Sequence, residues 1–505
     1  MPNVIDLFAG PGGLAEGFSS LFVNGVRRFN VRLSVEKEII PHQTLRLRSF
    51  FRSFALGDAP DEYYDFLAGR ATVEDVYGAD PSRSAQASAE AMHATLGEYP
   101  HRLLDERIAE AINGDRNWVL TGGPPCQAYS TAGMAGNKVK KNYCPEEDPR
   151  FFLYREYLRV VAVHTPAVFV MENVKGLLTA KDKGRSIVRE VMAGLSHPDE
   201  FMWREYRDLT NAPRYRLFSL NGNEISVDDD PNAFLAKGEL YGLPQARHRV
   251  IIIGIREDMP AELLLVPGHE TATTIGDVIG DLPALRSAAS KNDSLQLWHD
   301  NLTSILDKTW LDESEQLHGP DLVRFIRESV KLAREGNLNF GGPWLEHASV
   351  TNWNSEWYTD PRMQGITHHE SKAHCLSDMH RYFFCSCFGR VFGRSPHIME
   401  FPESLLPKHK NAKSGHFKDR FRVQLPDKPS HTIISHLAKD GHAFIHPEPV
   451  QCRTLTPREA ARLQTFPDNY YFFGGKVKQF EQVGNAVPPW LARLIAESVS
   501  SLIPA

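Results

Sequence analysis

A short apolar run, Trp118-Val119-Leu120-Thr121, stops abruptly at Gly122-Gly123-Pro124-Pro125-Cys126-Gln127-Ala128-Tyr129-Ser130. A run of that length bounded by turn residues reads as a buried strand. In an open α/β sheet the exit of such a strand is where chemistry is kept. Two glycines let a ligand approach the backbone there, and two prolines stiffen the turn just before the sulfur. Taken alone, Cys126 would be a structural thiol, because a reactive cysteine needs a stabilised thiolate. It has companions.

The first of them lies at the start of the chain. Val4-Ile5-Asp6-Leu7-Phe8 reads as a strand that turns through Ala9-Gly10-Pro11-Gly12-Gly13 into a helix carrying Leu14. Glycines at such a turn let a nucleotide-like ligand lie against bare backbone at the helix N-terminus. A second strand, Val31 to Val35, ends in Glu36, a carboxylate placed to accept from ribose hydroxyls. A dinucleotide, S-adenosylmethionine or a bare loop fits these features equally, and Gly10-x-Gly12-Gly13 lacks the third glycine of the dinucleotide fingerprint. Pro41 to Phe54 reads as a basic amphipathic helix, residues 57–100 as a partly helical insertion, and His101 to Ile112 as a helix.

Phe151 to His164 reads as a helix, and Ala167 to Met171 as a strand delivering Glu172-Asn173-Val174. Glu172 is either a solvated strand-end carboxylate or, beside a thiolate, an acid. Arg247 and Arg249 flank His248 just before the core strand Val250 to Gly254; on an extended chain both guanidinia face one side, as structural ion pairs or as a fork for carboxylate, phosphate or base oxygen. The polar segment Thr131 to Arg150, with Lys138, Lys140 and Lys141, is either a solvated loop or a lid touching phosphates. At the other end, Thr456, Pro457 and Glu459 form a helix start with a capping box, followed by an apolar face of Ala460, Ala461, Leu463 and Phe466. Gln482 to Pro489 then precedes a closing helix to about Leu502.

From Thr271 to Phe421 the periodicity is irregular. Within Arg362 to Leu425, eleven Lys or Arg stand against five Asp or Glu, although the whole chain carries a net charge of −6. Tyr382, Phe383, Phe384, Phe388, Phe392 and seven histidines are interleaved with those cations, so this stretch is a candidate nucleic-acid face. Cys385 and Cys387 match no standard zinc spacing and read as packed side chains; no metal is expected. Six cysteines in 505 residues suggest no disulfide framework. With no bilayer-length apolar run and no signal peptide, the expectation is a cytoplasmic protein.

Six blocks in order closely resemble the DNA (cytosine-5) methyltransferase family: Asp6 to Gly13, Gly123 to Gln127, Glu172-Asn173-Val174, Gln245 to Arg249, Arg453 to Phe466, and Gln482 to Pro489. Any one is weak, and together they are specific. They cover Val4 to about Arg256 and Arg453 to Ile495, leaving the middle where the family places its variable target recognition domain. The resemblance implies an α/β fold, a Rossmann-like S-adenosylmethionine-dependent methyltransferase sheet with a large, mostly irregular recognition domain. It divides the chain into a catalytic core at 1–270, a recognition domain at 271–425 and a return segment at 426–505 that completes the core.

The resemblance also implies roles. S-adenosylmethionine would be lined by Phe8, Gly10, Gly12, Leu14, Pro125, Asn485 and Val487, with Glu36 on its ribose. The acidic residue that the family sets against the adenine has no matching block; Asp58 is in range. Cys126 would add to C6 of a flipped-out cytosine, Glu172 would meet charge at N3, Arg249 would hold O2, and Arg247 would orient the site or contact the backbone. The Thr131 to Arg150 loop would close over the base. The expected enzyme methylates cytosine C5 in double-stranded DNA as a nucleoid-acting, bacterial restriction–modification enzyme. It would work as a monomer, with a cognate restriction endonuclease as a functional partner. Methylation of tRNA is the close rival, set back by the large recognition region. A silent DNA-binding module leaves Cys126, Glu172 and Arg249 without a use, and a nicotinamide oxidoreductase accounts for only the first hundred residues.

Overall fold

Runs that are apolar at every position have no face to leave in water, and here they build the middle of a sheet covered on both sides. The structure, a computed structural model, describes residues 1–125, 153–200, 212–260, 268, 271–347, 351–408, 420–439 and 441–503. Among these residues the central sheet has eight strands: β1 (Asn3–Leu7), β2 (Asn30–Glu36), β3 (Ala91–His93), β4 (Val119–Gly122), β5 (Val168–Val174), β6 (Tyr215–Phe218), β7 (Leu235–Lys237) and β8 (His248–Arg256). Their order is β6-β8-β5-β4-β1-β2-β3, with β7 also pairing β8. β1 to β5 pair in parallel, β8 runs antiparallel to β5, and β6 and β7 run antiparallel to β8. From β1 the chain moves outward to β2 and β3, then crosses to the other side of β1 for β4 and β5. That reversal opens a crevice above the carboxyl ends of β1 and β4.

The helices of this half are α1 (Gly13–Ser19), α2 (Ile39–Arg52), α3 (Asp61–Leu67), α4 (Val73–Ala79), α5 (Pro81–Glu90), α6 (His101–Ile112), α7 (Leu153–His164) and α8 (Ile187–Ser196). Leu104 and Ile108 of α6, Tyr157 and Val161 of α7 and Val188 and Val191 of α8 bury Ile5, Leu7, Leu120 and Phe169 on one face of the sheet. Each such side chain taken from water contributes about 1.5–3 kcal/mol. The stretch at 57–100, read as an insertion, is one only in part. It supplies α3, α4 and α5 and then β3, which pairs with β2 through Ser34↔Ala91 and Glu36↔His93. Three residues are too few for a period to show in the sequence.

The irregularity expected between Thr271 and Phe421 is corrected by the structure, which is largely helical there: α9 (Ile275–Ile279), α10 (Leu295–Thr303), α11 (Thr309–His318), α12 (Pro320–Glu335) and α13 (Leu376–Phe392). In α13 every residue from Met379 to Gly389 is buried, so it has no polar face and no amphipathic stripe to read. The aromatic residues expected on a nucleic-acid face are likewise reassigned. Tyr382, Phe383, Phe384 and Phe388 are at most 1% exposed and form a second core with Trp298, Leu322, Ile326 and Val330; only Phe392 of that group reaches the surface. Cys385 and Cys387 lie in the same core, and burial pushes both thiols up. Ile445 and Cys452, beyond residue 425, pack into it too.

The chain ends in α14 (Pro457–Leu463), α15 (Lys476–Asn485) and α16 (Pro489–Ser500). Thr456 caps α14 through the box read in the sequence: its hydroxyl accepts from Glu459 N at 3.2 Å, and Glu459 accepts from Thr456 N at 2.7 Å. Gln482 to Asn485 is the last turn of α15. α16 covers the second sheet face together with α1, Leu491, Ile495 and Val499 meeting Ala15, Phe18 and Val4. No helix among the described residues is long and apolar enough to cross a membrane.

Candidate active site

The crevice has two walls. The first begins where β1 ends, at Phe8, whose φ of 58° breaks the strand and starts the turn into α1. Gly10 N donates to Glu36 Oε2 at 2.8 Å and Glu38 N to Glu36 Oε1 at 2.7 Å, so the carboxylate at the end of β2 braces the turn. Burial raises the Glu36 carboxyl against the pull of those amides. A Cβ on Gly10 would meet nothing within 4 Å, whereas one on Gly13 would lie 2.1 Å from Val487 O. The turn thus presents bare backbone to open space on one side and is pressed by the returning chain on the other. Gly12, at φ 101°, caps α1 against Leu45. Leu14 is buried beneath Val487 and Ala492, and Asn485 is exposed.

Directly under this turn Asp6 is fully buried, in register with Ser34 and Thr121 on the neighbouring strands. Its Oδ1 accepts from the Thr121 hydroxyl at 2.9 Å, and its Oδ2 has no hydrogen-bond partner among the described residues. Burial, opposed by that hydroxyl, raises the carboxyl to about 7. A carboxyl raised in the folded state stabilises below its unfolded value of about 3.8, and that stabilisation is lost as pH rises through 7. Asp6→Asn is therefore expected to gain on the parent as pH rises, by about 1.5 kcal/mol at pH 5 and about 4 kcal/mol at pH 8. Equal melting shifts at both pH values would refute this account of Asp6.

The second wall starts where β4 ends. Gly123 sits against Glu172, its Cβ position 3.2 Å from Glu172 Oε2, and Pro124 O accepts from Asn173 Nδ2 at 3.2 Å. Pro125 follows, half-buried. Cys126 and the Thr131 to Arg150 segment lie outside the described residues. Glu172 Oε1 is 3.0 Å from Arg249 Nε, a nearly buried pair. The antiparallel register makes it, since Val174↔Arg249 and Glu172↔Ile251 put the two side chains diagonally on one face. Burial lowers the Arg249 guanidinium, and Glu172 pulls it back up.

Arg247 and Arg249 part company. The chain turns at Arg247, its N–H donating to Gln245 O at 2.9 Å, so the strict alternation of an extended strand fails there. Arg247 is buried and donates to Ile433 O at 2.9 Å, Gly484 O at 3.3 Å and Ala486 O at 2.8 Å. It therefore grips both carbonyls that flank Asn485. Asp58 is exposed beyond the far end of α2, a helix of 14 residues and roughly 20 Å, which takes it away from the rim. The strand end opposite Glu36 carries His93 and Ala94 instead.

Three supporting residues have roles that the sequence left unassigned. Asn173 positions Pro124. Gln245, fully buried, accepts from Ile433 N at 3.1 Å and donates to Leu463 O at 2.8 Å. Arg48 of α2 pairs with Glu16 of α1 and donates to Asn469 at 2.9 Å, while Tyr470 OH donates to Pro11 O at 2.5 Å, fastening the return segment under the glycine turn. The Glu16–Arg48 pair, 32 residues apart, leaves no local signal.

A braced glycine turn on one wall of the switch-point crevice and a carboxylate–guanidinium pair on the other give the chain the layout of an α/β enzyme that binds its ligand above the strand ends. The model of the C-5 cytosine-specific DNA methylase family matches residues 70–215 and 233–501, and the chain belongs to that family. It is 29% identical to the type II methyltransferase M.Bpa9945I of Bacillus paralicheniformis over 99% of both chains. It is 25% identical to the DNA (cytosine-5-)-methyltransferase M.ApeKI of Aeropyrum pernix over 100% of this chain and 99% of that one. In fold it is similar to a prophage-encoded E. coli protein named as a DNA modification methyltransferase, with a TM-score of 0.51 and 19% identity over 99% of each chain. The enzyme is a DNA cytosine-C5 methyltransferase whose cofactor is S-adenosylmethionine. The residues fit that group: Gly10 faces open space, the Glu36 carboxylate braces that turn from the neighbouring strand end, and Asn485 is exposed on the returning chain two residues before Val487, which presses on Gly13.

Proposed function

We propose that the protein modifies one short duplex sequence, by way of a covalent bond between Cys126 and C6 of an extrahelical cytosine. The observation that carries this reading is the Glu172–Arg249 pair at the rim reached by Gly123 and Pro125, one residue before Cys126. Phe8, Gly10, Gly12, Leu14, Glu36, Pro125, Asn485 and Val487 would hold the cofactor, which supplies an electrophilic sulfonium methyl group. Cytosine C5 is a poor nucleophile. Addition of the Cys126 thiolate to C6 pushes the ring electrons toward N3 and leaves C5 enamine-like. Glu172 meets the charge at N3 with a proton, and Arg249 holds O2. Loss of the C5 proton to water then drives elimination of the thiolate, Glu172 takes back the proton from N3, and the enzyme is free. A stacked base exposes neither C6 nor C5 to these groups, so the cytosine is flipped into the crevice.

Residues 1–270 and 426–505 form the catalytic unit of this proposal, and 271–425 read the flanking bases. The protein acts in the cytoplasm as the modification half of a restriction–modification system, as a monomer. The type II naming of M.Bpa9945I supports the restriction–modification part of this reading.

Incubation with labelled S-adenosylmethionine and mixed-sequence duplex, followed by bisulfite mapping, is expected to mark cytosines in one short motif. Cys126→Ser is expected to mark none. A duplex carrying 5-fluorocytosine in the motif should trap the parent protein covalently, since fluorine cannot leave as a cation, and should not trap the serine variant. Label on tRNA alone, or trapping of Cys126→Ser, would overturn the proposal.

A further inference from the structure

Just past Glu172, β5 ends at Val174. The chain runs through a 3-10 turn, Lys175–Thr179, and a small hairpin, Lys181–Asp182 paired with Arg185–Ser186, before α8 starts at Ile187. The hairpin joins the end of that strand to the start of its helix, so it stands on the rim that carries Glu172. Its base is fixed: Ile187 N donates to Ala180 O at 3.1 Å, and Leu177 and Ile187 are buried on either side.

The charge on this rim is one-sided. Lys175, Lys181, Lys183 and Arg185 are exposed, while the one acid among them, Asp182, is turned inward and lies 3.8 Å from Arg185. No ion pair joins Lys175, Lys181 or Lys183 to an acid among the described residues. On the loop that meets α8 at Arg189, Asp229 and Asp230 are engaged by the amides of Ser226 and Asn232. The tip adds a second observation. Lys183 at φ 47° and Gly184 at φ 84° make a turn with both central residues left-handed, a turn that ordinarily takes Asn-Gly. Lysine has no short polar side chain to ease that conformation, and strain kept at an exposed tip points to a use for the group it presents.

We propose that this hairpin is a phosphate clamp: Lys181, Lys183 and Arg185 seat the backbone of the duplex beside the crevice and hold the flanking DNA while a base is out of the stack. The inference rests on the DNA reading above. Ammonium and guanidinium groups on a two-residue ladder read no sequence, so the clamp adds affinity without specificity.

The test uses the full-length protein and its Lys181→Gln/Lys183→Gln/Arg185→Gln variant. Binding to a mixed-sequence 30-base-pair duplex would be measured across a salt series, with Lys183→Glu as a second variant. Each lost phosphate contact removes about 0.9 from the slope of log affinity against log salt. The triple variant should be shallower by about 2 to 3, bind more than about tenfold more weakly at 0.1 M salt, and lose equally on unrelated sequences. Lys183→Glu should weaken binding on its own, and both variants should melt with the parent because the side chains are exposed. An unchanged slope, or a loss confined to the methylated motif, would overturn the clamp. Should the parent itself neither bind nor methylate duplex DNA, the reading beneath it would fall as well.

Discussion

Glu172→Gln is expected to slow methyl transfer by about 10²- to 10⁴-fold, the usual worth of a positioned proton donor, while the sheet stays folded. Glutamine has the same shape and keeps an oxygen that can accept from Arg249 Nε, now 3.0 Å from Glu172 Oε1. It cannot deliver a proton to N3 or carry the charge that offsets a buried guanidinium. Removing one partner of a buried pair costs about 3–5 kcal/mol when nothing replaces it, and the retained hydrogen bond should hold the loss well below that. Single-turnover transfer, with melting measured in parallel, separates chemistry from folding. If the carboxylate and guanidinium act as one unit, Glu172→Gln/Arg249→Lys should be little slower than the worse single variant. A rate within fivefold of the parent would remove Glu172 from the chemistry.

Arg247→Met should be the most damaging substitution that touches no reacting atom. Its guanidinium donates to three backbone carbonyls from two distant segments, Ile433 on one side and Gly484 and Ala486 on the other. Methionine fills the volume but leaves those acceptors short of a donor, at about 1–3 kcal/mol for each one left buried and unpaired. Gln464 Nε2 still reaches Ala486 O at 2.5 Å, so a total of about 3–5 kcal/mol is expected, a melting drop of about 3–5 °C for the chain unfolding as one unit. The functional signature is directional. Asn485 is held between the two gripped carbonyls, so KM for S-adenosylmethionine should rise more than KM for DNA. Arg247→Lys should recover only part of the loss, since one ammonium cannot span acceptors on two segments. Equal rises in both KM values at unchanged melting would refute this role.

Most of the rim was legible in the sequence because its signals are local. A strand followed within five residues by glycines and a helix start, or Thr456-Pro457 followed by Glu459, is readable without knowing what lies opposite. What escaped reading failed for identifiable reasons. Ala91-Met92-His93 is too short to show a period, yet it closes one edge of the sheet. Met379 to Gly389 is buried all round, and a helix without a polar face looks irregular. The aromatic residues there resemble a base-stacking surface in composition, and only burial reveals a core. α12 differs in that its signal is local: Leu322, Val323, Ile326, Val330 and Ala333 form a plain stripe opposite a charged face.

By itself, then, the sequence determined the kind of sheet and the order of the blocks along its rim, and it singled out Cys126, Glu172 and Arg249 as the residues on which the proposed chemistry rests, since side-chain type and strand-end position suffice for that. Tertiary structure alone decided which groups meet. The Glu172–Arg249 pair exists because β8 runs antiparallel to β5, a register no local pattern encodes. Arg247, two residues from Arg249, became a clamp on the returning chain because its acceptors lie 186 to 239 residues away. Partners so far apart in sequence are chosen by packing, and packing is settled only when the whole core closes.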